Sequence, residues 1–171
     1  GSEMCIRDSY EALSYGKALA DKMGSKVSGL VINCSDTDGL KKYGADKIIT
    51  IDNPDFQKFS SKKYSHAIAE VIKSENSSVV ILSSSANSKF IGAHLSGITD
   101  AAYVSNVVGI PESISPFVVK RTCFTNKAYS STEMIDGLRI ISVSSNSFGM
   151  IESFNDSTVC LLYTSDAADE P

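Results

Sequence analysis

Runs of apolar residues without alternation mark the segment around which this chain is arranged. Residues 79–82 (VVIL) are four consecutive apolar residues, which is typical of a parallel strand covered by helices on both faces. Ser83, Ser84 and Ser85 end this run, and residues 87–98 follow as a helix that the serines can cap. We therefore expect residues 79–82 to form a central strand with a parallel neighbour on each side.

A second pattern has the helical period of 3.6 residues and alternates with short apolar runs. Residues 10–23 and 63–74 each place apolar side chains on one stripe and charged side chains on the other. Further elements lie between these helices: strands at 27–33 and 46–52, and a short helix at 37–43. The alternation predicts a three-layer, doubly wound, mostly parallel α/β sheet. Because a helix precedes every strand of this series, we expect its first strand to be missing.

After residue 98 the pattern changes to strands. The segment 117–124 alternates enough for a half-exposed strand, 128–134 is a candidate partner for it, and Asp136-Gly137 is a hairpin signal. The other strands predicted here are at 103–110 and 138–143.

The two ends of the chain carry related coding sequence. Residues 3–9 (EMCIRDS) can be encoded by DNA whose complementary strand, read in a shifted frame, encodes residues 160–165 (CLLYTS). An inverted repeat of this kind is typical of a sequencing adapter, so residues 1–8 and 160–171 are interpreted as adapter-derived and residues 9–159 as the domain. We expect the ends to make few contacts with the fold.

The charge balance and the numbers of cysteines and histidines limit the classes of function that the sequence can support. The whole chain has a formal charge of −4, but the acidic and basic residues of 9–159 balance, so nothing predicts binding to nucleic acid or to a charged membrane. Within that range the cysteines are Cys34 and Cys123, which are expected to be reduced core thiols of an intracellular protein. Two distant cysteines and two isolated histidines, His66 and His94, are too few to predict a metal site.

The candidate ligand-binding residues lie at the serine loop. Ser83, Ser84 and Asn87 stand at the predicted helix N-terminus, where backbone N–H groups favour a phosphate. Helix capping is the competing interpretation, because the loop matches neither the serine-hydrolase elbow nor a glycine-rich phosphate loop. No catalytic residue is predicted.

A polar cluster at residues 121–128 (RTCFTNKA) interrupts strand-like sequence. Arg121, Asn126 and Lys127 are candidates for a partner-binding surface, and an ordinary solvated hairpin tip is the alternative.

Several phrases together resemble the N-terminal domain of the alpha subunit of electron transfer flavoproteins. They occur in the order found in that family and cover nearly all of residues 9–159: EALSYGKALADKMG, KYGADKIITIDN, VVILSSSANS, YVSNVVGI, KRTCFTNKAYSSTEM and LRIISVSSNSFG. The loop SSSANS departs from the glycine, arginine and aspartate that commonly open this helix in the family.

The resemblance implies a fold related to adenine-nucleotide-binding domains, within an electron carrier rather than an enzyme. The alpha subunit would pair with a beta subunit and share a heterodimer that carries FAD. It would pass electrons from acyl-CoA dehydrogenase-type flavoenzymes to a quinone reductase or another acceptor, in the bacterial cytoplasm or the mitochondrial matrix. The resemblance places the FAD site in a C-terminal domain outside residues 9–159. The alternative is a stand-alone adenine-nucleotide-binding domain of the universal-stress type, using Ser83–Asn87 for phosphate.

Overall fold

A computed structural model of the chain describes residues 2–34 and 37–162, with the backbone alone at residues 2–8. It contains helices and mostly parallel strands, so the predicted three-layer, Rossmann-like α/β class is confirmed. The helices are α1 (Ser2–Met23), α2 (Asp38–Lys42), α3 (Ser61–Glu75) and α4 (Ala86–Thr99). The strands are β1 (Ser28–Ile32), β2 (Lys47–Ile51), β3 (Val79–Leu82), β4 (Ala102–Val107), β5 (Ser113–Ile114), β6 (Phe117–Cys123), β7 (Ala128–Met134), β8 (Arg139–Val143) and β9 (Thr158–Leu162).

Local signals account for the ends of the main helices. Ser60 caps α3 by accepting a hydrogen bond from the Lys63 N–H, and Asn76 ends the helix in the left-handed conformation, at φ 52°. Gly24, at φ 67°, follows the last residue of α1. The observed bounds differ from the predicted ones by at most two residues at each end, except that α1 begins at Ser2 instead of residue 10.

The strands are divided between two sheets. The first has the order β1-β2-β9 and is entirely parallel. The second has the order β3-β8-β4-β6-β5, with β7 on β6; β3, β8 and β4 are parallel, and β6 is antiparallel to each of its neighbours. The predicted pairing of residues 117–124 with 128–134 is confirmed. The hairpin at Asp136-Gly137 is wrong, because β8 leaves β7 and inserts between β3 and β4.

Adjacent residues of β8 show how the three layers are built. Ile140 and Ile141 are both fully buried, and successive side chains of a strand point to opposite faces. Ile140 packs in a cluster with Ile68 of α3 and Leu95 of α4. Ile141 packs on the other side in a cluster with Tyr15 of α1. Helices therefore cover both faces of this sheet, as the unbroken apolar runs predicted.

The expected central position of residues 79–82 is corrected by the structure. β3 is hydrogen-bonded to β8 on one side and lacks a paired neighbour on the other, within the part of the chain that is described. Its four residues are half-buried. The unbroken apolar run correctly indicated that helices cover both faces, but side-chain pattern carries no information about pairing at the strand edges, which depends on backbone hydrogen bonds.

The expectation that residues from 160 onward make few contacts is wrong for residues 160–162. They belong to β9, in which Cys160 pairs with Ile49 and Leu162 with Ile51 of β2. A short β-branched and apolar sequence can add to a parallel strand that has a free edge. Residues 163–171 and the side chains of 2–8 lie outside the described part. The adapter origin of both ends stays a prediction.

Candidate functional site

The serine loop lies where β3 ends and α4 begins, as predicted. Ser85 is the N-cap of α4, and its Oγ accepts a hydrogen bond from the Ser88 N–H at 3.2 Å. The Ser88 hydroxyl is buried and lies 3.2 Å from Ser83 Oγ and 2.7 Å from Ser85 Oγ. These contacts give Ser85 a capping role at the start of the helix, and Ser83 is tied to the same turn through the Ser88 hydroxyl.

The same loop is also connected to the next strand of the sheet. Ser84 Oγ is hydrogen-bonded to Ser145 Oγ in the loop after β8, and Ser142 Oγ of β8 donates to the Ser83 carbonyl at 3.2 Å. Asn87 is exposed on the first turn of α4. The structure thus brings the three candidate residues, Ser83, Ser84 and Asn87, to one helix end, and their role in ligand binding stays a prediction.

The chemistry of this loop does not fit the pyrophosphate of FAD. The hydroxyls of Ser83 and Ser85 are hydrogen-bonded to Ser88 and that of Ser84 to the loop after β8, whereas a pyrophosphate needs donors that are directed outward or a cationic side chain. A separate concavity of about 320 Å³ is lined by residues of the 54–60 segment and by Lys63. It is open to solvent, whereas flavin-sized ligands occupy clefts that bury most of their surface.

The turn between β6 and β7 has an unusual backbone. Phe124, Thr125 and Asn126 all have positive φ angles, of 50°, 54° and 62°. Three such residues in succession are uncommon outside glycine and asparagine. The Lys127 N–H donates to the carbonyls of Cys123 and Phe124, both at 3.2 Å, which closes the turn. The conformation projects consecutive side chains outward at the end of the hairpin.

Apolar as well as polar side chains form the exposed part of this hairpin. Asn126 and Lys127 are exposed, as predicted, but so are Phe124 at 79 % and Tyr129 at 65 %. The Lys120 Nζ lies 4.4 Å from the centroid of the Tyr129 ring, a cation–π contact. Burial alternates along β7, with Tyr129 on its exposed side together with Ser131 and Glu133, and sequence reasoning did not single out Tyr129. We call Lys120, Phe124, Asn126, Lys127 and Tyr129 the hairpin surface.

Arg121 does not belong to the hairpin surface. It stands at the same alternate positions of β6 as Phe117 and Val119, both of which are buried. The Arg121 Nε is buried without a hydrogen-bond partner in the described part of the chain. The sequence placed Arg121 with Asn126 and Lys127 because they are close along the chain, but strand alternation separates them.

A buried carboxylate holds the loop after β8, at the same end of the sheet as the serine loop. Glu11 of α1 is 4 % exposed and accepts hydrogen bonds from the N–H groups of Asn146, Phe148 and Gly149, each at 2.8 Å. Burial raises the pKa of Glu11, but the hydrogen bonds from Gly149, Phe148 and Asn146 together outweigh it and leave the pKa below its ordinary value. Sequence reasoning read Glu11 as a solvent-facing residue, which is wrong.

The histidines form no site in the described part of the chain. His66 on α3 is exposed and His94 on α4 is half-buried, with ring centroids 6.4 Å apart. No cluster of three metal-ligating side chains occurs among the described residues. None of the described helices is long and apolar enough to cross a membrane.

The comparisons with known proteins agree with one another in the family that they indicate. The family model "Electron transfer flavoprotein domain" matches residues 5–159. The chain is 24 % identical over 140 residues to the electron transfer flavoprotein subunit alpha of Bacillus subtilis (strain 168), a match that covers 80 % of this chain and 42 % of the relative. It is also 29 % identical over 90 residues to Protein FixB of Clostridium saccharobutylicum, covering 51 % and 25 % of the two chains.

A third relative is the acryloyl-CoA reductase electron transfer subunit beta of Anaerotignum propionicum, 30 % identical over 80 residues, which covers 45 % of this chain and 22 % of the relative. The chain thus spans less than half the length of each of these curated relatives. The family match extends from α1 into β9 and so includes nearly every described element. The chain therefore belongs to the electron transfer flavoprotein family.

Proposed function

We propose that this chain is the N-terminal domain of an alpha subunit, and that it acts there as a scaffold and partner-binding domain rather than as a catalyst. The observation that carries the proposal is the 140-residue match to the Bacillus subtilis alpha subunit, which covers 80 % of this chain. The order of the motifs along the chain supports the same assignment. The full protein would be a heterodimer with a beta subunit that carries FAD.

The hairpin surface is the proposed contact with the beta subunit. It combines a large exposed aromatic ring, Phe124, with the exposed Lys127 and the Tyr129–Lys120 pair. Aromatic residues are enriched at protein interfaces, and a closed turn limits the ordering cost of binding. The residues in left-handed conformation hold this combination at the end of the hairpin.

FAD, when bound in the full heterodimer, would supply the redox chemistry. Its site is proposed to lie in a C-terminal domain, because the donors of the serine loop do not fit its pyrophosphate. The residues of this chain position its loops and helices. Glu11 holds the loop after β8 against α1, and the Ser85 cap fixes the start of α4. No electron-transfer step is assigned to any residue of this chain.

The proposed donors are acyl-CoA dehydrogenase-type flavoenzymes, with a quinone reductase or another protein as acceptor. The name of the Anaerotignum propionicum relative supports a connection with CoA thioesters, since it links that protein to an acryloyl-CoA reductase. The proposed location is the bacterial cytoplasm or, in a eukaryote, the mitochondrial matrix.

The test is co-purification with the beta subunit from the same source. We expect Phe124→Glu to weaken the complex by at least about tenfold, because it places a charge in the apolar centre of the contact. Phe90→Glu is the matched control, since Phe90 is 64 % exposed on α4, outside the hairpin surface. An unchanged affinity of Phe124→Glu, or equal losses in both variants, would contradict the proposed surface.

A flavin titration tests the cofactor assignment separately. The chain alone is expected to remain colourless after incubation with FAD and removal of excess, whereas the full alpha subunit with its beta partner is expected to be yellow. Thermal shift with ATP and AMP distinguishes the stand-alone nucleotide-binding alternative, since a ligand that binds the folded state raises its apparent stability. Stoichiometric FAD binding by this chain would refute the assignment and return attention to Ser83, Ser84 and Asn87.

A further inference from the structure

The first turn of α3 carries charges that are unfavourable at the start of a helix. The N-terminus is the positive end of the helix dipole, so acidic side chains are favoured there. The short helix α2 follows this rule, with Asp38 in its first turn. The first turn of α3 has no acidic residue and instead carries Lys62 and Lys63, both exposed. The two lysines therefore oppose the dipole of α3.

These two lysines belong to a larger cluster of positive charge. Lys58 and Lys63 line the concavity of about 320 Å³ together with Phe59, which is 41 % exposed. Two exposed carboxylates, Asp52 and Asp55, lie along the same loop. Within the described part of the chain, the lysines form no ion pair with them or with any other residue. We call Lys58, Phe59, Lys62 and Lys63 the lysine surface.

Hydrogen bonds and ring contacts fix the loop that carries the lysine surface. Asn33 and Asn53 exchange two hydrogen bonds, of 2.9 and 2.8 Å, which tie the loop after β2 to the end of β1. The Tyr64 hydroxyl donates to the Phe56 carbonyl at 2.9 Å, and the Phe59 ring lies against the Tyr64 ring, with 5.4 Å between centroids. The loop is therefore preformed, and binding to it would order little backbone.

We propose that the lysine surface is a docking site for an acidic patch on a protein other than the beta subunit. Unpaired lysines attract a surface of opposite charge, and the exposed Phe59 ring offers an apolar contact beside them. The inference rests on the proposed function in one respect: an electron carrier meets its redox partners transiently, and charge complementarity speeds such encounters. The lysine surface follows β2 in the first sheet, whereas the hairpin surface belongs to the second sheet.

A small anion such as phosphate fits the lysine surface less well. Ser60 Oγ accepts a hydrogen bond from the Lys63 N–H at 3.4 Å, so the cap already uses one donor of the helix N-terminus. The concavity is open to solvent, whereas a phosphate site directs several donors at one point. Long lysine side chains around an open concavity match an extended acidic surface.

The test is a titration of the full chain with an acidic peptide that represents the partner's surface. The peptide EEDLEEDLEE carries a fluorescent label, and its binding is followed by fluorescence anisotropy. The chain has a formal charge of −4, so the peptide is not attracted to the chain as a whole and its binding reports a local positive surface. We expect the affinity to fall by at least about tenfold between about 0.03 M and about 0.3 M ionic strength.

Removal of the three charges should abolish most of this binding. The combined variant Lys58→Gln, Lys62→Gln and Lys63→Gln is expected to lose at least about tenfold in affinity at low ionic strength. Its urea midpoint should be unchanged or higher than that of the wild type, because two lysines leave the positive end of a helix. A lower midpoint would show that the lysines support the fold, and would contradict the inference.

The matched control makes the same change of charge at three exposed lysines outside the lysine surface: Lys26→Gln, Lys73→Gln and Lys89→Gln. It should lose no more than about twofold in affinity. Phe124→Glu, which tests the contact with the beta subunit, should also keep the peptide affinity within about twofold, so the two proposals can fail separately.

Two results would overturn the inference. One is an equal loss of affinity in the lysine-surface variant and in the control, or no loss in either. The other is displacement of the peptide by inorganic phosphate at about millimolar concentration and constant ionic strength, because the site would then bind a small anion and not an acidic protein surface.

Discussion

β3 and β8 are neighbours in the same sheet, and their comparison shows what sets the burial of a parallel strand. β3 is the more apolar of the two, with the sequence VVIL against RIISV, but it is the less buried. Helices cover both faces of each, since β3 and β8 both contribute to the two clusters on opposite sides of the sheet. The difference is at the edges: β8 is paired with β3 and β4, and β3 is paired with β8 alone. The apolar composition of a strand therefore predicts which of its faces the helices cover. Hydrogen-bond pairing at its two edges determines how much of the strand stays exposed to solvent.

A buried charge in either strand gives the largest expected effect and the most direct test of this comparison. Ile141→Asp places a carboxylate among fully buried residues, so we expect it to cost more than about 4 kcal/mol and to prevent folding. Val80→Asp, in the half-buried β3, leaves its carboxylate partly accessible to water and should cost less, about 2 kcal/mol. Circular dichroism and urea unfolding measure both variants. Equal losses would show that β3 is as enclosed as β8.

The carboxyl ends of the same two strands are held differently, which gives the second prediction. The loop after β8 is bound by the carboxylate of Glu11, and the loop after β3 by serine hydroxyls. Glu11→Gln keeps the size of the side chain but loses one charged acceptor and adds donors opposite N–H groups. We expect a loss of about 2 kcal/mol in the free energy of unfolding, measured with urea at neutral pH.

The pH dependence of Glu11→Gln sharpens this prediction. The pKa of Glu11 is lowered in the folded state below its ordinary value of 4.5. A lowered pKa means that the carboxylate contributes stability above the unfolded-state value, and that the contribution is lost as the pH falls through the folded-state value. The difference in stability between the wild type and Glu11→Gln should therefore be constant above about pH 6 and shrink below pH 4.5. A difference that grows in acid would contradict the assignment.

The serine loop gives the smallest expected effect. Ser85→Ala removes the N-cap of α4 and should cost about 1 kcal/mol. Ser84→Ala removes one hydroxyl contact with Ser145 at the surface and should change stability by less than about 0.5 kcal/mol. Thermal or urea unfolding compares the two. If Ser84→Ala proves the more costly, the contact between the loops after β3 and β8 is stronger than helix capping.

What the sequence by itself determined is local. The 3.6-residue stripe at 63–74 specified α3, and the unbroken run at 79–82 specified a strand covered on both faces. The hairpin of β6 and β7 was recognised from adjacent strand patterns joined by a short polar turn. These features depend on residues that are neighbours along the chain. The spacing of apolar side chains in the sequence therefore predicts them directly.

Only the tertiary structure decided which strands are adjacent and which side chains meet. β8 lies between β3 and β4, and β9 beside β2, although neither is next to those strands in the sequence. Glu11 meets backbone groups 135 to 138 residues away, so its position on the polar stripe of α1 hid its role. Arg121 shares a face of β6 with the buried Phe117 and Val119, whereas Asn126 is exposed in the turn. Such pairings depend on backbone hydrogen bonds and packing between distant segments, which a periodic pattern in one segment does not encode.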